Sequence, residues 1–171
     1  TGYPAQNLQH FPSVTIVFIM LLMFIGGSSE SSAGGIKLSR IAIGYRGILW
    51  WFKRIFVRAK VLVPFIYAGE KVPDSVAEPE LSKNMLVIIL SVLTVFVATM
   101  VVLQFHLLSI EVTDLVFDVV SALSSCGLST GYISPGMPFT SKWVFILVMW
   151  IGRLEVIPVI VLFMGIFRGH E

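Results

Sequence analysis

The sequence predicts an all-α fold embedded in a membrane, with long apolar helices separated by short polar turns that carry glycine. Three observations predict it. The 171-residue chain is 56% hydrophobic and 13% charged, with a mean hydropathy of +0.91, which excludes an ordinary soluble domain. Residues 86–108 and 143–167 are each apolar and long enough to cross a bilayer. A third apolar stretch, residues 13–25, is cut short by a run of glycine and serine that holds one carboxylate, Glu30.

Residues 1–11 are polar and contain Pro4 and His10, which makes them a loop. The helix over 13–25 falls short of the roughly 20 residues a span requires. Gly26, Gly27, Ser28, Ser29, Glu30, Ser31, Ser32, Ala33, Gly34 and Gly35 follow. Glycine forfeits backbone entropy and serine competes for backbone hydrogen bonds, so the helix breaks here. Non-helical backbone at membrane depth persists only where protein buries it or where it lines a watery cavity. The break therefore predicts a solute pathway. Helical spacing resumes over 36–51, and the two halves are expected to cross the bilayer as one interrupted helix.

Lys37, Arg40, Arg46, Lys53, Arg54, Arg58 and Lys60 form a basic run without an acid. In a soluble chain such a run suggests nucleic acid. In a chain this apolar it marks a cytoplasmic segment, with Trp50 and Trp51 at the headgroups and no nucleic-acid partner. Lys37 and Arg40 lie near enough to the break to face an aqueous vestibule. Residues 61–73 read as a small hairpin turning at Gly69, and 74–79 as an acidic linker. The span over 86–108 then starts beside Lys83 and Asn84 and ends near His106.

Residues 111–124 predict an amphipathic helix too short to span. Asp114 and Asp118, one turn apart, share a face there and read as carboxylates favoured by the helix N-terminus. Ser125, Cys126, Gly127, Leu128 and Ser129 form a small polar turn, followed by a Pro/Gly loop and the last span, with Arg153 and Glu155 near its middle. A short helix, a glycine turn and a full helix make a re-entrant unit. The single Cys126 excludes an internal disulfide. The polar start at Thr1 lacks a basic n-region and does not read as a secretory signal, so the chain reads as a piece of something longer.

The chain also repeats itself. Thr1-Gly2-Tyr3, a loop and Met23-Phe24-Ile25-Gly26 recur as Thr130-Gly131-Tyr132, a loop shorter by three residues, and Met149-Trp150-Ile151-Gly152. Gly27, at the break, corresponds to Arg153. An axis along the membrane normal would put Arg153 at the depth of the break. An arginine there costs about 2.5–3.5 kcal/mol on insertion scales and requires a partner. Contact between Arg153 and the glycine-rich loop, with its free carbonyls and Glu30, is the expectation.

With these residues in view, the chain resembles the Trk/Ktr/HKT superfamily of potassium transporters, TrkH type. The resemblance covers essentially the whole chain, as the end of a third and all of a fourth pore-loop unit. It implies an all-α integral membrane fold of repeated helix–pore-helix–helix units around one ion path, with a broken helix and a re-entrant pore loop. Residues 1–60 would end the third unit, 61–82 would form a cytoplasmic hairpin and linker, and 83–171 would be the fourth unit. That unit comprises a transmembrane helix at 83–108, a pore helix at 111–124, a filter at 125–129 and a transmembrane helix at 140–168. Ser125, Cys126, Gly127, Leu128 and Ser129 line up with the family's degenerate potassium filter. Gly26, Gly27, Ser28, Glu30, Ser31, Gly34 and Gly35 match its intramembrane gate loop, whose pattern is close to GGSxGSTxGG. Glu30 departs from that pattern, which usually has glycine there. Arg153 matches the arginine that the family places beside the gate.

The resemblance implies K⁺ uptake through a channel-like pore in a multi-pass plasma-membrane protein, with residues 37–83 and the C-terminus cytoplasmic. It implies no cofactor, no metal beyond K⁺ at the filter and no enzymatic activity. Its implied partners are the lipid bilayer, the remaining pore units of the same protein, a second copy in a homodimer and a cytoplasmic nucleotide-binding regulatory subunit. One alternative is a proton- or sodium-coupled secondary transporter that uses the broken helix as its substrate site, with Glu30 as proton carrier. Another is a non-transporting membrane scaffold, which does not require a filter-like turn. An intramembrane enzyme fits least, because no metal-ligand cluster and no serine or cysteine with a nearby base occurs in the sequence.

Overall fold

In a computed structural model of the chain, the described residues are 8, 11–28, 34–56, 65–67, 70–72, 74–105, 111–154, 158 and 165. Their regular elements are helices apart from one short hairpin. The order is α1 (Ser13–Phe24), α2 (Leu38–Phe56), β1 (Phe65–Tyr67), β2 (Glu70–Val72), α3 (Asp74–Gln104), α4 (Val112–Ser124) and α5 (Phe139–Leu154). The strands pair antiparallel with Ile66 opposite Lys71.

The short helix α4 is the centre of the packing. At 13 residues it is only about 20 Å long, too short for a hydrocarbon core of about 30 Å. One side buries Leu115, Val119, Ala122 and Leu123 against Ala98 and Val102 of α3 and Phe145 and Val148 of α5. The other side buries Phe117 and Val120 against Ile16 and Met23 of α1 and against Leu8. A helix buried all round needs apolar residues on every face. Asp118 and Ser121 are the polar side chains it takes into that burial before its last residue, Ser124.

The long helix α3 contains a span, Val76–Gln104, long and apolar enough to cross a membrane. It leaves Ile89, Val92, Leu93, Phe96, Val97 and Met100 exposed, a surface suited to lipid or to further helices. Its start corrects the expected linker over 74–79, because the helix already begins at Asp74 and runs through Pro79. Packing decides this. Ala77 and Leu81 are buried with Trp50 of α2, where Gly47 admits the Leu81 side chain. Arg54 stacks 5.3 Å above the Trp50 ring and bonds Glu78 at 2.7 Å. The acids of the first turns also suit a helix N-terminus. These contacts outweigh the one backbone bond that Pro79 removes.

Candidate functional site

The predicted filter turn starts where α4 stops. Ser125 adopts a left-handed conformation, φ +55°, and ends the helix. Its N–H donates to the Ala122 carbonyl (3.2 Å), and the Cys126 N–H donates to the Ser121 carbonyl (3.0 Å). This is the Schellman arrangement, with serine where glycine is usual. Gly127 follows at φ +83°, a conformation that costs a residue with a Cβ roughly 1–2 kcal/mol. The turn alternates. Ser125 and Gly127 are exposed, while Cys126 and Leu128 pack back on the cluster around Phe117 and Met23. The carbonyls of this turn therefore belong to a segment backed by apolar side chains and open on one side.

Beyond the turn the chain is tied down by side chains. Asp118 is fully buried and accepts three hydrogen bonds. The Thr130 N–H donates to its Oδ1 at 2.8 Å and the Thr130 hydroxyl at 3.2 Å, while the Ser129 hydroxyl donates to its Oδ2 at 2.8 Å. The Ser129 hydroxyl in turn accepts the Gly131 N–H at 3.0 Å. A buried carboxylate is tolerated only when donors replace its lost water, and these do. Next, Tyr132 donates to the buried Ser141 hydroxyl of α5 at 3.2 Å and tilts against Phe145. The expectation that Asp118 serves only the helix N-terminus is thus corrected, since it lies past the first turn and points to the filter arm. The signal lay in its spacing of 11 and 12 residues from Ser129 and Thr130, which no local rule reads.

The interrupted helix is organised differently. After α1 ends, the limb 24–27 runs beside the limb 36–38. The Gly26 N–H donates to the Ile36 carbonyl (2.8 Å), the Ile36 N–H to the Phe24 carbonyl (3.2 Å) and the Leu38 N–H to the Gly27 carbonyl (3.1 Å). These backbone bonds satisfy polar groups that the broken helix would otherwise leave without partners. The loop then meets α4. A Cβ on Gly34 would come within 2.7 Å of the Leu123 carbonyl oxygen and 2.9 Å of the Ser124 carbonyl oxygen. From the other side Gly152 of α5 packs on the same Leu123 carbonyl, too close for any Cβ. Gly35, Arg40, Ser91, Leu123 and Gly152 line a cavity of about 10 Å³, room for at most one water.

Among the predicted gate residues, Gly26, Gly27, Ser28, Gly34 and Gly35 lie in this arrangement, while Glu30 and Ser31 lie outside the described residues. So do Glu155, His10 and His106. Arg153 is exposed, one residue beyond the Gly152 that touches α4. Helix α5 continues past the position matching the break in α1. Arg40 reaches the cavity beside Gly35, as one of the two cations placed near the break. Sequence reasoning missed Asp118, Leu123 and the Tyr132–Ser141 pair. No group of three metal-ligating side chains occurs among the described residues.

A short buried helix whose C-terminus abuts both a left-handed polar turn and a glycine loop, beside one span apolar enough to cross a membrane, fits the class of all-α membrane proteins. The sequence model of the TrkH family, described as cation transport protein, matches residues 1–168. The chain belongs to that family. It is 30% identical over 168 residues to an uncharacterized cation transporter of Methanocaldococcus jannaschii, covering 98% of this chain and 34% of the relative. It is 29% identical over 158 residues to the Ktr system potassium uptake protein D of Bacillus subtilis, covering 91% and 32%. It is 27% identical over 174 residues to the Trk system potassium uptake protein TrkH of Escherichia coli, covering 97% and 33%. The chain spans about a third of the length of these relatives.

Proposed function

We propose that the protein containing this chain takes up K⁺ through a channel-like pore, with residues 125–129 as one filter segment and the loop 26–35 as a gate beneath it. The reading rests on one observation above the others: α4 points its C-terminal end at both elements. The last carbonyls of a helix carry the negative end of its dipole, which favours a cation, whereas an anion is held by N–H groups at a helix N-terminus. Carbonyls of Ser125, Cys126, Gly127 and Leu128 then replace part of the ion's water shell. The Bacillus subtilis and Escherichia coli relatives are named as potassium uptake proteins, which supports K⁺ as the cation.

In this reading Arg153, next to Gly152, bears on the gate loop and holds cations back when the gate is closed. Residues 37–83 and the C-terminus face the cytoplasm of a plasma-membrane protein, because the basic residues of α2 collect there. The remaining pore units close the path, a second copy completes a homodimer, and a cytoplasmic nucleotide-binding subunit regulates it. No step calls for enzymatic chemistry or a cofactor.

The test is complementation of a potassium-uptake-deficient bacterium by the full-length parent at limiting K⁺. The parent restores growth and Gly127→Ala, at equal membrane abundance, does not. Growth restored equally by Gly127→Ala removes the filter assignment.

A further inference from the structure

The turn that carries the ion-facing carbonyls is fixed at both ends by the same helix. At its start, the Cys126 N–H is bound to the Ser121 carbonyl of α4 (3.0 Å). At its end, the Ser129 hydroxyl and the Thr130 N–H and hydroxyl are bound to Asp118 of α4. Between these ties lie only Gly127 and Leu128. The first tie is backbone to backbone and withstands any ordinary side-chain exchange. The second depends chiefly on one carboxylate, beside a longer 3.4 Å bond from the Thr130 hydroxyl to the Asp114 carbonyl. That carboxylate is fully buried, one turn before Ser121 and Ala122 cap the helix, so its position is set by the core rather than by solvent. Fixed dipoles discriminate between ions of different radius only when their spacing resists collapse onto the smaller ion.

We infer that Asp118 is a positioning residue that holds the filter turn at the spacing of K⁺ and thereby sets the discrimination of K⁺ from Na⁺. The inference rests on the filter assignment above and goes beyond it, since Asp118 lies buried behind the turn and is bonded to Ser129 and Thr130. The carboxylate acts through Ser129 and Thr130, whose two hydroxyls and one N–H replace water around it. Without it, the segment after Gly127 loses the bonds that tie it to the Asp118 side chain and is held to α4 more loosely, through the 3.4 Å contact of the Thr130 hydroxyl with the Asp114 carbonyl. The carbonyls of Gly127 and Leu128 then close around the smaller Na⁺ at little cost. A carboxylate needed only for folding would leave selectivity unchanged in whatever protein reached the membrane.

The experiment uses the full-length parent in proteoliposomes and measures initial rates of K⁺ and Na⁺ uptake and the KM for K⁺. The variants are Asp118→Asn, Asp118→Glu, the double change Ser129→Ala with Thr130→Val, and Gly127→Ala. Asp118→Asn keeps the volume but turns one acceptor oxygen into a donor. It is expected to lower the K⁺/Na⁺ rate ratio about tenfold and to raise the KM for K⁺, the scale of one charge-assisted hydrogen bond. The double variant keeps the carboxylate, removes both hydroxyls and shifts the ratio the same way. This decides the matter if Asp118→Asn fails to accumulate. Asp118→Glu recovers part of the ratio. An unchanged ratio and KM in Asp118→Asn and in the double variant, with Gly127→Ala still abolishing K⁺ uptake, overturns the inference and leaves the filter in place. An unchanged ratio in Gly127→Ala as well overturns the filter assignment and, with it, the role of Asp118.

Discussion

The proposed filter turn and the interrupted helix lie against the same end of α4, yet they are held by opposite means. The arm after the turn is pinned by side chains, with Asp118 on Ser129 and Thr130 and Ser141 on Tyr132. The loop between α1 and α2 is tied through backbone bonds between its two limbs, and its fit to α4 depends on side chains that are absent, at Gly34 and, from α5, at Gly152. A polar pin holds a segment in one place, because its bonds are directional and costly to leave unmade once buried. A glycine contact gives close approach without a directional tie, so the surfaces separate without leaving an orphaned side chain. The contrast suits the roles proposed for them, a static filter beside a mobile gate.

Mutations should therefore act in opposite senses in the two regions: adding atoms breaks the loop, and removing them breaks the filter arm. The largest effect is expected at Gly152→Ala in the full-length parent. The Leu123 carbonyl it would strike is helix backbone that cannot rotate away, so the loss of stability should reach about 3 kcal/mol or more, the top of the overpacking range. Thermal unfolding in detergent measures it, and an unchanged midpoint would break the comparison at its base. Gly34→Ala comes next. Its methyl would press on the Leu123 and Ser124 carbonyls at 2.7 and 2.9 Å, but a loop can retreat where a helix cannot. The expected cost is about 1–2 kcal/mol, read chiefly as raised K⁺ leak with selectivity kept. Lost selectivity would mean that the loop shapes the filter. Smallest is Tyr132→Phe, which removes one hydrogen bond to Ser141 and keeps the ring on Phe145. A lowering of about 1 kcal/mol is expected, with no change in leak.

Much of this was legible in the chain. The short helix, the polar turn at 125–129 and the break after Phe24 are local features of composition, and α1, α4 and the helix break stand where they were expected. The expected linker over 74–79 failed for a nonlocal reason. Glu78 and Pro79 look like loop residues in isolation, but Trp50 and Arg54 of another helix cover that turn. Asp118 was misread in the same way. Its neighbours in sequence describe a helix start, and its partners stand 11 and 12 residues away.

The sequence by itself determined the membrane class, the family and the order of helix, turn and break, because hydropathy, glycine content and motif spacing act within a few residues. Only the tertiary structure decided that the loop and α5 meet at the Leu123 carbonyl, and that Asp118 holds the arm beyond Gly127. Both depend on how three helices close around α4. That geometry follows from the packing of side chains distant in sequence, which no local pattern encodes.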